Sequence, residues 1–151
     1  MNKKRGYSLV ELLAALALLS TVIAMGYSLY IMSVKGYGKS IDRINTQQNV
    51  RLVASYIKRK LLKAMNDEVT VEEKDDGSSV LIIGKEYFDL SGTTLRVNHD
   101  WPSSSSFNPM AEDITRFVAE KDGNRVILSI SGGDEGRGNL FSLTFEVLLR
   151  R

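Results

Sequence analysis

The apolar residues of this chain follow three different patterns along its length. Residues 12–34 form a continuous apolar run without a single charged side chain. As a helix rising about 1.5 Å per residue, this run would extend for roughly 34 Å, enough to cross a bilayer core about 30 Å thick. Residues 35–66 repeat apolar positions every three or four residues, and from residue 67 onward short β-forming runs alternate with turn residues.

The second pattern predicts an amphipathic helix that continues the apolar one. Apolar residues recur at helical spacing among charged and amide side chains, and the expected buried face consists of Ile41, Ile44, Leu52, Tyr56, Ile57, Leu61 and Met65. Asn66 and Asp67 are expected to end this helix. Gly26, Gly36 and Gly38 are candidate points of helix flexibility, because glycine costs about 1 kcal/mol relative to alanine within a helix.

The third pattern predicts a small antiparallel β-sheet. Seven strands are expected, at residues 69–73, 80–83, 86–90, 93–97, 114–120, 125–131 and 141–149. Gly, Asp and Asn cluster between several of these runs, and such short turns favour an antiparallel meander. The predicted fold class is therefore α+β, in which a long N-terminal helix, first membrane-spanning and then amphipathic, packs on a small antiparallel sheet.

The composition narrows the chemistry that this chain can perform. Its 151 residues allow one ordinary domain with an appendage, and the absence of cysteine excludes disulfides, thiol catalysis and cysteine-ligated metals. A formal net charge of +2 offers no case for nucleic-acid binding. His99 is the only histidine and is expected to be solvated, so no acid, base and nucleophile can be assembled. We expect a protein that is not an enzyme and holds no cofactor or metal.

Three polar segments are candidate binding sites. The segment from Ser103 to Asn108 is expected to be either a flexible surface loop or a contact loop for a partner. Asp134 and Glu135 match no dedicated calcium loop and indicate a solvated hairpin. The basic residues Lys58, Arg59, Lys60 and Lys63 are expected to form a solvated helix face.

The basic residues before the apolar run predict its orientation. Lys3, Lys4 and Arg5 favour a cytoplasmic N-terminus, with the chain beyond residue 34 on the other side of the membrane. An ordinary signal peptide would show the same order of basic and apolar residues. However, the apolar run is too long for a typical signal core, and no Ala-x-Ala site closes it.

Glu11 is an acidic residue at the start of this apolar helix. A carboxylate deep in a membrane helix costs about 2.5–3.5 kcal/mol, so an intramembrane carboxylate indicates a function and requires a partner. Cleavage between Gly6 and Tyr7 would create a positively charged α-amino group about one helical turn from Glu11. When such helices pack side by side, each carboxylate can then neutralise the amine of a neighbour.

The segment Lys3-Lys4-Arg5-Gly6-Tyr7-Ser8-Leu9-Val10-Glu11-Leu12 resembles the type III prepilin signal of type IV pilins and pseudopilins. The resemblance implies a leader, residues 1–6, that prepilin peptidase removes after Gly6. It also implies an N-methylated Tyr7 as the mature N-terminus and Glu11 as the assembly carboxylate. The expected organisation is a transmembrane and assembly helix at residues 7–34, an amphipathic helix at 35–66 and a β-rich extracytoplasmic domain at 67–151.

The same resemblance implies the partners and location of the protein. These are other pilin or pseudopilin subunits, prepilin peptidase and the assembly platform, first in the cytoplasmic membrane and then in a filament. The missing proline near Ser28 and the lack of a cysteine pair favour a minor pilin or pseudopilin. Type II secretion, the type IV pilus and competence stay open as the system served. The alternative is a membrane-anchored extracytoplasmic binding domain with an ordinary signal anchor, for which neither cleavage at Gly6 nor an effect of Glu11 is expected.

Overall fold

The computed structural model describes residues 8–150 of the chain, which divides into two compact units, Met1–Gly38 and Lys39–Arg151. One α-helix, α1 (Leu9–Leu61), begins in the first unit and ends in the second. A short 3₁₀ turn, Asn66–Glu68, and eight strands follow. The strands are β1 (Val69–Glu73), β2 (Ser79–Ile83), β3 (Glu86–Ser91), β4 (Thr94–Asn98), β5 (Asn108–Ala111), β6 (Ile114–Asp122), β7 (Arg125–Gly132) and β8 (Phe141–Leu148). The predicted α+β class is confirmed.

The strands form two antiparallel sheets, whereas the sequence predicted one. Strands β1 to β5 form a five-stranded sheet in chain order, and β6 to β8 form a three-stranded sheet, also in chain order. The expected meander therefore holds within each sheet, and all seven predicted strands are present. The chain passes between the sheets at Asp113, which has a positive φ of 61°. This left-handed conformation is uncommon outside glycine and turns the chain out of the first sheet.

Strand β5 begins at Asn108, the last residue of the predicted loop, in a part of the chain for which the sequence predicted no strand. Pro109 lies within this strand, and proline is depleted in strands because it cannot donate a ladder hydrogen bond. The structure accommodates it because β5 is the edge of its sheet and pairs only with β4. The pairing also shifts register between Leu95 and Arg96. Pairing with β4, rather than the strand propensity of its own residues, therefore makes this segment a strand.

The buried face of α1 differs from the predicted one. Ile57 and Leu61 are buried as predicted and Tyr56 is half-buried, but the structure exposes Ile41, Ile44, Leu52 and Met65. The face that packs on the sheets is formed by Thr46, Val50, Val53, Ala54, Ile57 and Leu61. These side chains are mostly small or β-branched. The periodicity favoured the larger residues, several of which lie on the opposite side of the helix.

The helix also ends earlier than predicted, at Leu61 instead of Asn66. The backbone N–H groups of Lys63 and Ala64 both donate to the Lys60 carbonyl, at 3.0 and 3.1 Å, which tightens the last turn. Met65 then forms an isolated parallel bridge with Arg150, and its N–H donates to the Glu68 carboxylate at 2.9 Å. Pairing with a residue far along the chain thus ends the helix.

The core of the unit Lys39–Arg151 lies between α1 and the two sheets. Its largest fully buried side chains are Phe88, Phe117, Ile57, Leu61, Leu81, Leu95, Ile114, Leu128 and Ile130. Gly132 of β7 allows the helix to approach closely. A Cβ at this position would lie 2.6 Å from the Asp113 carbonyl oxygen and 2.9 Å from Cγ2 of Val50. Any larger residue there would force these elements apart.

Candidate functional site

The first candidate site is the N-terminal part of α1, whose apolar side chains have no cover within the described chain. Apart from the half-buried Ile31, the large apolar side chains from Leu9 to Tyr37 are 53–75% exposed. By length and composition this helix can cross a membrane. Soluble proteins rarely expose a continuous apolar surface of this size. Lipid or the helices of other protein chains would cover such a surface.

Ser8 and Glu11 form the beginning of α1. Ser8 is the N-cap: its hydroxyl accepts the N–H of Val10 at 3.3 Å, and its carbonyl accepts the N–H of Leu12 at 3.1 Å. Glu11 lies in the first turn, where the helix dipole favours a negative charge. The spacing Ser8-x-x-Glu11 is that of a capping box, a signal that the sequence analysis missed. Within residues 8–150, the Glu11 carboxylate has neither a hydrogen bond nor an ion-pair partner.

Three of the hydroxyl groups inside the apolar segment donate to carbonyl groups of the helix itself. Ser20 and Thr21 donate to the Ala17 carbonyl, each at 2.9 Å, and Ser28 donates to the carbonyl of Ala24 at 3.1 Å. The segment can therefore lie in an apolar medium without exposing these donors. Helix α1 continues without interruption through the predicted flexible positions, where a Cβ would meet no atom within 4 Å; these are Gly26, Gly36 and Gly38. Their flexibility stays a prediction, and Gly6 and Tyr7 lie outside the described residues.

A second polar cluster surrounds Glu86 on β3. Its Oε1 accepts hydrogen bonds from Lys60 Nζ at 2.8 Å and the Tyr56 hydroxyl at 3.1 Å, and His99 Nδ1 lies 3.1 Å away. Burial alone would raise the pKa of Glu86, but the hydrogen bonds from Lys60, His99 and Tyr56 hold it below its ordinary value. The hydrogen bond to Glu86 in turn raises the pKa of Lys60. His99 is exposed, as predicted, but it also contacts Glu86, whereas the prediction that Lys60 is merely solvated was wrong. The cluster ties α1 to β3 and the end of β4.

The loop that includes Ser103 and follows β4 makes several internal contacts. The Asn98 side-chain amide donates to the Ser104 carbonyl at 2.5 Å. The Tyr87 ring lies 4.6 Å from that of Trp101 and 5.6 Å from that of Phe107, measured between centroids. These contacts tie the loop to β3 and β4, and its flexibility stays a prediction. A contact between this loop and a partner stays a prediction.

A polar depression beside the middle of α1 is lined by carboxylate and amide side chains, among them Asp42, Glu112, Asp113 and Asn139, and Thr46 lies next to two of them. Its polar groups bind one another: the Thr46 hydroxyl donates to Asp113 Oδ2 at 2.5 Å, and the Asn139 amide donates to the Thr46 hydroxyl at 3.3 Å. The backbone N–H of Asp134 donates to Asn139 Oδ1 at 2.8 Å. Across residues 8–150, no group of three or more acidic or histidine side chains is arranged to hold a metal ion.

The comparisons with known proteins bear on the first of these sites. Residues 1–27 match the family model described as the prokaryotic N-terminal methylation motif. The chain thus carries the prepilin signal of type IV pilin-like proteins, which confirms the resemblance seen in its first twelve residues. No curated protein and no solved structure matches the chain.

Proposed function

We propose that this protein is a minor pilin or pseudopilin, a structural subunit that prepilin peptidase processes and that assembles into a type IV pilus-like filament. One observation carries the proposal. The methylation motif at residues 1–27 overlaps the stretch of α1 whose apolar side chains have no cover within residues 8–150. A membrane would cover this surface before assembly, and the helices of neighbouring subunits would cover it afterwards.

Processing prepares the subunit for assembly in this proposal. Cleavage between Gly6 and Tyr7 removes Lys3, Lys4 and Arg5, so the formal net charge falls from +2 to −1, without counting the new amine. Methylation of that amine at Tyr7 leaves it able to carry a positive charge. The mature chain then presents a cation and the Glu11 carboxylate about one helical turn apart.

Assembly in this proposal uses the negative charge of Glu11. Before cleavage, the basic leader holds the N-terminus in the cytoplasm and places the β-rich domain outside. After cleavage, Glu11 pairs with the amine of an adjacent subunit while the apolar helices bundle. In an apolar medium this attraction is strong, and it requires both the negative carboxylate and the positive amine. The absence of a partner for Glu11 within residues 8–150 supports this step.

Mass spectrometry of the intact protein tests the proposal. The full chain is produced in cells with an active prepilin peptidase and in cells with an inactive one. We expect a chain beginning at Tyr7 and carrying one additional methyl group only with the active enzyme. Gly6→Val, which keeps all three leader charges, is the matched control and should block cleavage. A mature chain that still begins at Met1 would instead favour a membrane-anchored binding domain with an ordinary signal anchor.

The abundance of the protein in isolated filaments distinguishes its role within the class. A minor pilin or pseudopilin is expected at a few copies per filament, located with subunit-specific antibodies. Thousands of copies along each fibre would identify a major pilin. The gene products that co-purify with the filament would assign it to type II secretion, a type IV pilus or a competence system.

A further inference from the structure

Strand β8 leaves one side of its backbone open. It is the outer strand of the three-stranded sheet and pairs only with β7. The N–H of Leu149 donates to the Asn124 carbonyl on the β7 side, whereas the Arg150 carbonyl accepts the N–H of Asn66 on the other side. Because these directions alternate along an antiparallel strand, the N–H and C=O groups of Ser142, Thr144, Glu146 and Leu148 point to the open side.

This open edge lacks the usual protection against pairing. Natural edge strands are commonly short or carry lysine or proline. Strand β8 has eight residues without either, and its single charge, Glu146, pairs with Arg125 at 2.8 Å. Leu140 and Leu148, at its two ends, are 50% and 63% exposed. The edge can therefore accept a further strand.

A groove of about 350 Å³ runs between β8 and the adjacent side of α1. It is lined by Arg51, Ala54, Ser55, Lys58, Leu143 and Phe145. The Arg51 guanidinium lies 5.6 Å from the centroid of the Phe141 ring, and Lys58 Nζ lies 5.9 Å from that of Phe145. The half-buried Leu143 lies between the two aromatic residues on the same face of the strand. The groove thus has an apolar floor with a cation near each end.

The two cations of the groove, Arg51 and Lys58, favour a negatively charged binding partner. Among residues 8–150, neither Arg51 nor Lys58 pairs with a carboxylate. Pairing β8 with the β8 strand of a second copy would bring four cations to one seam, and such like charges disfavour the contact. A strand with carboxylates facing the two cations would satisfy both them and the open backbone.

We propose that this edge is a docking site for an extended acidic segment of a partner protein, which adds to the sheet beside β8. The cations lie over Phe141 and Phe145, four residues apart, and the strand side chains alternate between faces. The matching segment therefore has the order acidic-x-apolar-x-acidic, with its three specified side chains facing the groove. This order is symmetric, so it serves either strand direction.

Peptide binding to the full chain in detergent micelles tests this site. The probe is a fluorescein-labelled, capped peptide containing Glu-Thr-Val-Thr-Glu, and its binding is followed by fluorescence anisotropy. The peptide Thr-Glu-Val-Glu-Thr has the same composition but turns both carboxylates away from the groove. We expect it to bind about tenfold more weakly. Methylation of the backbone nitrogens that pair with β8 should weaken the first peptide comparably.

Charge exchange provides the decisive variant. The double variant Arg51→Glu and Lys58→Glu should lose the acidic peptide and gain Lys-Thr-Val-Thr-Lys, a rescue that a misfolded protein cannot produce. The control, Arg43→Glu with Lys63→Glu, makes the same charge change at exposed positions outside the groove and should leave binding unchanged. Thr144→Pro removes one open-side N–H without breaking the ladder with β7, and should weaken every peptide.

Three outcomes would overturn the proposal. One is equal binding of the two acidic peptides, which would mean that binding does not depend on which face of the peptide strand carries the carboxylates. Another is equal competition by a single-stranded oligonucleotide, which would mean that the cations attract any polyanion. The last is a dimer in sedimentation experiments that Thr144→Pro abolishes while peptide binding is absent, which would identify a second copy as the occupant.

Discussion

Glu11 lies in the first turn of an otherwise apolar helix segment, and its carboxylate has no partner within residues 8–150. Ser8 already accepts the N–H of Val10, so the helix start does not depend on Glu11 alone. Two contributions are therefore separable at this residue: a small local one from the helix dipole and, in the proposed assembly, a larger one from pairing with another subunit.

We predict that Glu11→Val leaves membrane insertion intact and strongly reduces incorporation into filaments. Valine removes the charge that would pair with the neighbouring amine, while the apolar segment still crosses the membrane. Membrane fractionation and immunoblotting of sheared filaments measure the two properties separately. Leu13→Val, a change of similar size within the same segment, should incorporate normally. Normal incorporation of the Glu11 variant would contradict the pairing mechanism.

Gly132 is constrained by space rather than by charge, because its surroundings leave no room for a side chain. We predict that Gly132→Ala lowers the free energy of unfolding by about 1–3 kcal/mol, the range for overpacking a filled core. The new methyl group would meet the Asp113 carbonyl oxygen and the Val50 side chain. Urea unfolding followed by circular dichroism measures the change. Gly38→Ala, placed in open space within α1, should be neutral or slightly stabilising.

At the scale of elements, the Glu86 cluster joins α1 to the five-stranded sheet through a partly buried carboxylate. Glu86 Oε2 is buried without a hydrogen-bond partner, while Oε1 is shared among three groups. The attachment therefore depends on the negative charge of Glu86. A neutral carboxyl would leave the Lys60 ammonium without its counter-charge.

The direction of the Glu86 pKa sets the pH range in which this attachment weakens. The folded-state pKa lies below the unfolded-state value of about 4.3. The stabilisation of the fold by the Glu86 carboxylate is therefore fully present above the unfolded-state pKa. It is lost as the pH falls through the lower, folded-state pKa. We predict that Glu86→Gln reduces stability at pH 7 and flattens its decline below about pH 4, measured as urea midpoints across pH. The exposed Glu135→Gln should retain the wild-type profile.

At the scale of the whole molecule, the described core lies within one of the two units. Every residue described as buried, from Thr46 onward, belongs to Lys39–Arg151. We predict that a fragment of residues 39–151 folds without detergent and unfolds in one cooperative transition. Size-exclusion chromatography and thermal melting monitored by circular dichroism test this. An aggregated fragment, or one without a cooperative transition, would show that the preceding residues support the core.

The sequence determined the features that depend on neighbouring residues. The methylation motif, the apolar helix and seven of the eight strands follow from local charge, hydropathy and turn chemistry, and all of these can be read within short windows. Strand β5 was missed because its own residues argue against a strand, and only pairing with β4 makes it one.

Only the tertiary structure decided the features that join distant residues. The buried face of α1 was chosen by its close approach to Gly132, and the end of the helix by the pairing of Met65 with Arg150. The bonds of Lys60 and His99 to Glu86, and the open groove beside β8, likewise require elements far apart in the chain. Periodicity can show that a helix has an apolar face. Which face is buried depends on the shape and chemistry of what packs against it.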